Sequence, residues 1–249
     1  MDNPLLRNYL SSLRIVTRRM PVSVRTFAPR DGGEGQKHCL VLHGWASDCS
    51  ALGQMREKLR ALPQAATWRF WDIGYDTSWT RFPDSARQIL AQLQQHPYDF
   101  THSVLIGYSM GGVVARQLVA LGLPCHGLIT SCSPHHGPVK WMPMPYRGLR
   151  SIAAWSPDSA ALNRHPRDVA HRHRYRFYAV SFDDPLGHHE HDGMVPVPSA
   201  LGSRLGPVAV RETICMRYAN VAHFNPHWRG MFPQHMAPVV NEAARLLEE

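Results

Sequence analysis

A serine with a glycine two positions to either side is the first feature of this chain that could carry chemistry. It lies in Val104-Leu105-Ile106-Gly107-Tyr108-Ser109-Met110-Gly111-Gly112-Val113-Val114-Ala115. An apolar run suited to a buried strand there gives way to a helical pattern in Val113, Val114, Gln117 and Leu118. Gly-x-Ser-x-Gly at a strand-to-helix junction holds the serine on a strained turn, with its hydroxyl clear of the sheet. Gly107 and Gly111 leave room where a side chain would strike a neighbouring strand or helix. The five-residue pattern alone is weak, because chains rich in Gly and Ser match it by chance. Its context makes Ser109 the candidate nucleophile.

A serine hydroxyl at neutral pH needs a base to take its proton, and the base needs an anion behind it to fix its tautomer. At an elbow of this kind the acid follows a later strand and the histidine follows the last one. His223 comes after the final strand-like stretch, whereas His227 and His235 lie further from its end. For the acid, Asp183 and Asp184 compete with Asp192. Asp192 is the choice, because Gly193 permits a tight turn and Val195 and Val197 can anchor the loop to the core. Asp183 and Asp184 precede Pro185 and suit turn and cap chemistry. The developing oxyanion needs two backbone N–H donors, which we expect from Met110 and from Trp45, after His43-Gly44. His43, Tyr108, Trp141 and Met142 are the candidates for lining the substrate pocket. His188-His189-Glu190-His191-Asp192 is built of metal-ligand types. Neighbouring loop residues rarely converge on one ion without ligands from elsewhere, and binding would tie up the acid, so no metal is expected.

These residues need a scaffold. Strand patterns at residues 22–28, 39–42, 67–75, 104–108, 127–132, 176–182 and 213–218 alternate with helical ones at 51–62, 84–95, 113–118 and 234–248. That rhythm predicts an α/β fold with a mostly parallel central sheet covered by helices on both faces. Ligands bind such a sheet beyond the carboxyl ends of its strands. His43-Gly44, Ser109 and Ser133-Pro134-His135 each come where a strand has just ended. Between about 137 and 172 the rhythm stops, with Trp141 to Tyr146 apolar and proline-interrupted and short helices expected at 152–155 and 160–162. We read it as a small lid or cap over the strand ends. The arginine- and histidine-rich stretch 164–176 reads as a solvated face, residues 4–19 as a helix packed on the domain, and 183–198 as a long loop.

The 249 residues, 44% of them hydrophobic, suit one domain over 1–249 with a sizeable core. No apolar run approaches the roughly 18 residues that span a bilayer. The arginine-interrupted start lacks the apolar core of a signal peptide, which points to a cytoplasmic address. The five cysteines, odd in number and without a CxxC, read as buried free thiols. The net charge of +8 is spread along the chain, so nucleic acid is not an expected partner. Peripheral contact with an anionic lipid surface stays open.

Taken together the motifs resemble the lipase and esterase branch of the α/β-hydrolase superfamily, in particular bacterial triacylglycerol lipases. Leu42-His43-Gly44-Trp45 resembles the oxyanion motif, and Gly107 to Gly112 the elbow. Ser133-Pro134-His135-His136-Gly137 resembles the turn after the next strand, His191 to Pro196 the acid loop, and Ala222-His223 the histidine. The matches run in family order from about Leu40 to Phe224. The resemblance implies the α/β-hydrolase fold and hydrolysis of short- to medium-chain or lipid esters through an acyl-enzyme, without a cofactor. The chain departs from such lipases in lacking a visible export signal and in having a smaller lid. Acyl transfer to an alcohol and thioester cleavage remain open with the same triad, as does a non-catalytic lipid-binding module.

Overall fold

The structure is a computed structural model that describes residues 19–27, 37–138, 145–217 and 233–249. Its eight-stranded sheet comprises β1 (Ser23–Phe27), β2 (Lys37–Leu42), β3 (Trp68–Gly74), β4 (Ser103–Tyr108), β5 (Gly127–Ser131), β6 (Tyr175–Asp184), β7 (Gly187–His189) and β8 (Val210–Arg217). The order is β1-β3-β2-β4-β5-β6, and β8 pairs with β6. Pairing is parallel from β3 through β2, β4, β5 and β6 to β8. The exceptions are β1, antiparallel on β3, and β7, antiparallel on the end of β6. This is the mostly parallel α/β sheet that the alternating pattern predicts, in keeping with the α/β-hydrolase fold that the resemblance implies.

Both faces of the sheet are covered, which is why its central strands read as near-continuous apolar runs. Leu40 and Leu42 of β2 point into a core built with helices Phe82–Leu93 and Met110–Leu121, whereas Cys39 and Val41 point into the core under helices Gly53–Arg60 and Pro233–Glu248. Leu42 of β2 lies in register with Gly107 of β4, and Tyr108 with Ser131 of β5. The strand ends that carry the His43-Gly44-Trp45 loop, Ser109 and the 133–137 turn therefore form one rim.

Several elements differ from the sequence reading. The expected helix at 84–95 starts earlier, at Phe82, with Pro83 in its first turn, where a missing N–H costs nothing. Between β5 and β6 the helices are Arg147–Ser151, Pro157–Arg164 and Pro166–His171 rather than 152–155 and 160–162. Ser156 caps the second of these, accepting from the Asp158 N–H at 3.2 Å, and Pro157 takes its first position. Residues 183–198 are not one long loop: β6 and β7 form a hairpin, and a short helix follows at Val197–Ala200. The reading of residues 4–19 as a helix falls almost wholly outside the described residues.

The solvated-face reading of 164–176 is corrected in its most important part. Asp168 is fully buried and accepts from Arg116 Nε (3.0 Å) and Nη2 (2.7 Å), Arg172 Nε (3.0 Å) and Nη2 (2.8 Å), and the Tyr175 hydroxyl (3.1 Å). Arg116 projects from the helix that follows Ser109, so this cluster ties the elbow helix to the segment between β5 and β6. A carboxylate surrounded by two guanidiniums satisfies charges that burial would otherwise penalise heavily. The thiols need a correction too. Cys39, Cys125 and Cys132 are buried and free, but Cys49 is half-buried and Cys215 is exposed, because β8 turns that side chain outward. Among the described residues no helix is long and apolar enough to cross a membrane.

Candidate active site

Ser109 stands between β4 and helix Met110–Leu121 with φ 52° and ψ −125°, a conformation that a non-glycine residue adopts only when its surroundings enforce it. Its N–H donates to the Ser131 carbonyl at 2.8 Å, and its own carbonyl accepts from Gly112 at 3.1 Å. The glycines act as the pattern requires. A Cβ on Gly111 would come 2.6 Å from the His43 carbonyl oxygen, and one on Gly107 would come 2.6 Å from the Gly111 carbonyl carbon. No side chain fits at either point, so the elbow packs backbone on backbone. Ser109 keeps 8% of its surface accessible.

The loop after β2 abuts Ser109. A Cβ on Gly44 would lie 2.9 Å from Ser109 Cβ. Ala46 takes a positive φ of 53°, and its N–H is committed to Thr77 Oγ1 at 3.2 Å. Trp45, one residue earlier, is thus held between Gly44 and a fixed turn. Met110 is the first residue of the elbow helix, where an N–H has no partner within the helix. Its side chain is buried in the core, so only its main chain can serve chemistry.

His43 does not line a pocket, contrary to the sequence reading. Its ring is fully buried and stacked on Tyr75 with centroids 4.5 Å apart. Nδ1 donates to the Gly44 carbonyl (2.9 Å) and Nε2 accepts from the Tyr75 N–H (3.4 Å), while the Tyr75 hydroxyl donates to the His43 carbonyl (2.5 Å). Burial pushes its pKa down to about 4, against a smaller upward effect of the Gly44 carbonyl. His43 is a neutral brace that fixes the loop after β2.

Asp192 is buried at the same rim. Its Oδ1 accepts from the N–H groups of Met194 (2.9 Å) and Val195 (2.8 Å), the tight turn that Gly193 permits with φ 95°. The Cys132 thiol is hydrogen-bonded to this carboxylate. Burial first, then the charge of Asp192, raise that thiol well above its ordinary range. Tyr108, the residue before Ser109, is raised by burial first and then by Cys132 and Asp192. Asp192 therefore sits among the ends of β4 and β5, beside Cys132 and close to Tyr108, the residue before Ser109. Asp183 and Asp184 do otherwise. Asp183 is exposed and accepts from His188 Nδ1 at 2.7 Å, and Asp184 accepts the Leu186 and Gly187 N–H groups of the hairpin turn at 2.7 and 3.1 Å.

The structure thus brings Ser109, Tyr108, the Met110 main chain, the Trp45 loop and Asp192 together. His223, Trp141 and Met142 lie outside the described residues. The sequence reading missed an aromatic group at the loop after β2. Tyr146 stands 5.9 Å from Trp45 and 5.5 Å from Trp79, centroid to centroid, all three half-buried. The sequence reading placed His135 in the turn after β5 but missed its enclosure there. There Nδ1 accepts from Arg116 Nη1 (3.4 Å), Nε2 donates to Thr130 Oγ1 (3.1 Å), and the ring stacks on Phe177 at 4.2 Å. Burial, then the nearby Arg116, hold that ring well below its usual pKa.

No protein-family model matches the chain. No curated protein matches it in sequence. Solved structures do match in fold. The mature form of the Bacillus licheniformis lipase BlEst2 aligns with a TM-score of 0.62 at 15% identity, over 89% of this chain and 98% of that one. The propeptide form of that lipase aligns at 0.59 and 15% identity over 80% of this chain, which spans only 50% of that longer molecule. A bacterial heroin esterase aligns at 0.56 and 17% identity, over 98% of this chain and 90% of that one. At these identities the likeness is one of fold, and it places the chain on the α/β-hydrolase scaffold.

Proposed function

We propose that this protein is a serine-dependent carboxylic ester hydrolase acting through an acyl-enzyme on short- to medium-chain or lipid esters. The observation that carries the reading is the backbone of Ser109, held at φ 52° between a buried strand and a helix whose first N–H has no partner within the helix. Strain of this kind persists only where surrounding structure over-determines it, and it clusters at reactive sites. The buried Asp192 and the names of the structural neighbours, a lipase and an esterase, support the same reading.

In the proposed reaction Ser109 Oγ attacks the ester carbonyl carbon as His223 takes its proton. The negative charge that develops on the carbonyl oxygen is met by the N–H groups of Trp45 and Met110. His223 then returns the proton to the departing alkoxide, and water repeats the sequence on the acyl-enzyme. Asp192 holds His223 in the tautomer that can accept. The half-buried rings of Trp45, Tyr146 and Trp79 offer an apolar wall for the acyl chain next to the oxyanion loop.

The test is hydrolysis of p-nitrophenyl acetate, butyrate and palmitate by wild type and Ser109→Ala. The substitution should lower kcat by about 10⁴- to 10⁶-fold, and an active-site-directed phosphonate should label Ser109 in wild type alone. Equal turnover of all three esters by the two proteins would reject the reading in favour of a non-catalytic module.

A further inference from the structure

Away from the rim, the edge of the sheet gathers a second group of reactive side chains. Asp183 of β6 lies in register with His188 of β7 on one side and Arg217 of β8 on the other. Cys215 is two residues before Arg217 on β8, so alternation puts it on the same face as Asp183 and His188. Asp183 Oδ1 is 2.7 Å from His188 Nδ1, and its Oδ2 is 3.2 Å from Cys215 Sγ. One donor atom from each residue lies within 4.8 Å of the other two, and all three residues are exposed.

We propose that Asp183, His188 and Cys215 bind a zinc-class divalent cation. Three strands supply three donor types, a carboxylate oxygen, an imidazole nitrogen and a sulfur. Donors at zinc distances in a tetrahedron stand roughly 3.3–3.8 Å apart, so the present spacing needs only small side-chain rotations. The sulfur and the imidazole select zinc or a similar ion over calcium and magnesium, which take oxygen ligands. Three protein donors leave a fourth position for water. The objection to a metal among residues 188–192 was that adjacent loop residues need a ligand from elsewhere, and Cys215 is that ligand. Asp192 is not part of the set and stays with Cys132. Arg217, the cation beside Asp183, weakens the site without removing a donor.

The consequence is mechanical. The ion would fasten the β6–β7 hairpin, which runs directly into the Asp192 loop, to β8, whose last residue precedes His223 by six positions in sequence. Binding only the folded arrangement, it would also raise the stability of the whole. The inference does not depend on the esterase reading.

The experiment uses the full chain, reduced and freed of metal by chelator, titrated with Co(II) as a spectroscopic probe and then with Zn(II). Wild type should take up one equivalent of Co(II) with a thiolate-to-metal charge-transfer band, and Zn(II) should displace it. Zn(II) should also shield Cys215 from a thiol reagent. Cys215→Ser should abolish the band. His188→Gln, at an exposed position that folding does not need, should weaken Zn(II) binding more than the roughly 10- to 100-fold typical of losing an outer-sphere partner. Absence of the band in wild type overturns the proposal. So does Zn(II) binding that survives unchanged in His188→Gln, which would assign it to other surface histidines.

Discussion

The rim around Ser109 and the edge around Asp183 lie in one sheet but are held in different ways. At the rim, main chain meets main chain: Gly111 against His43, Gly107 against Gly111, and Ser109 bonded to Ser131. The titratable groups there, His43, Cys132 and Asp192, are buried and fully engaged. At the edge, Asp183, His188 and Cys215 are exposed and pair with one another through flexible side chains, while Leu186 at the hairpin tip is 90% accessible. The rim is preorganised, as a site that must place hydrogen-bond donors within tenths of an ångström has to be. The edge has freedom that a ligand could remove.

The sharpest way to break this comparison is to neutralise one carboxylate in each region. Asp192→Asn keeps the shape of the buried side chain and, on the proposed mechanism, loses the charge behind His223 and invites the wrong tautomer. We expect kcat on p-nitrophenyl butyrate to fall about 10⁴-fold. Asp183→Asn, assayed without added metal, should stay within about threefold of wild type, since surface ion pairs contribute little. The reverse ranking would move the acid to the edge and undo the assignment of the rim.

The same contrast explains what could be read in the sequence. Gly107 and the Asp192-Gly193 turn act through neighbours within a few residues, and the short spacing of Gly107, Ser109 and Gly111 is itself the signature of the elbow, so their types and spacing report their conformation. The mostly parallel sheet needed only the alternation of apolar runs with helical ones, whereas its strand order came from the structure. The Arg116–Asp168–Arg172 cluster was illegible because its partners lie 52 and 4 residues from Asp168, and an arginine-rich stretch looks the same whether it faces water or a buried carboxylate. His43 looked like a pocket residue because its position beside Gly44 is set by the motif. Only the fold supplies Tyr75, 32 residues on, to turn it inward. Cys215 resembled any other strand cysteine, because its outward face depends on β8 being the last strand paired on β6.

A second test concerns stability rather than rate. Asp168 is wholly enclosed, and Asp168→Asn leaves Arg116 and Arg172 sharing a neutral partner in a site closed to water. Breaking a buried pair from one side costs about 3–5 kcal/mol. At about 2–4 °C per kcal/mol for a chain of this size, Tm should drop by about 6–20 °C. Because Arg116 belongs to the elbow helix, activity at low temperature should fall with it. Asp183→Asn, made in the exposed pair with His188, should leave the metal-free Tm within error. If both variants melt together with wild type, the buried cluster does not anchor the elbow.

The smallest effect expected is a titration, and its sign follows from where the proton goes. His43 is neutral in the folded chain until the pH falls to about 4, because burial opposes its charge. In the unfolded chain the same ring takes up a proton near its ordinary value of about 6.5. Below that value the unfolded state binds the extra proton, so the contribution of His43 to stability is fully present above pH 6.5 and is lost as the pH falls towards 4. The loss amounts to about 1.4 kcal/mol per pH unit well inside that window, or about 3 kcal/mol across it. His135 is displaced in the same direction and adds to the slope. Urea midpoints between pH 6.5 and 5, above the range where most carboxylates titrate, should therefore decline steeply in wild type. They should decline less in His43→Gln, by close to one proton's worth. Parallel slopes would mean that the ring is charged, or reached by water, in the folded protein. The loop after β2 would then lack the rigid brace on which the contrast between rim and edge rests.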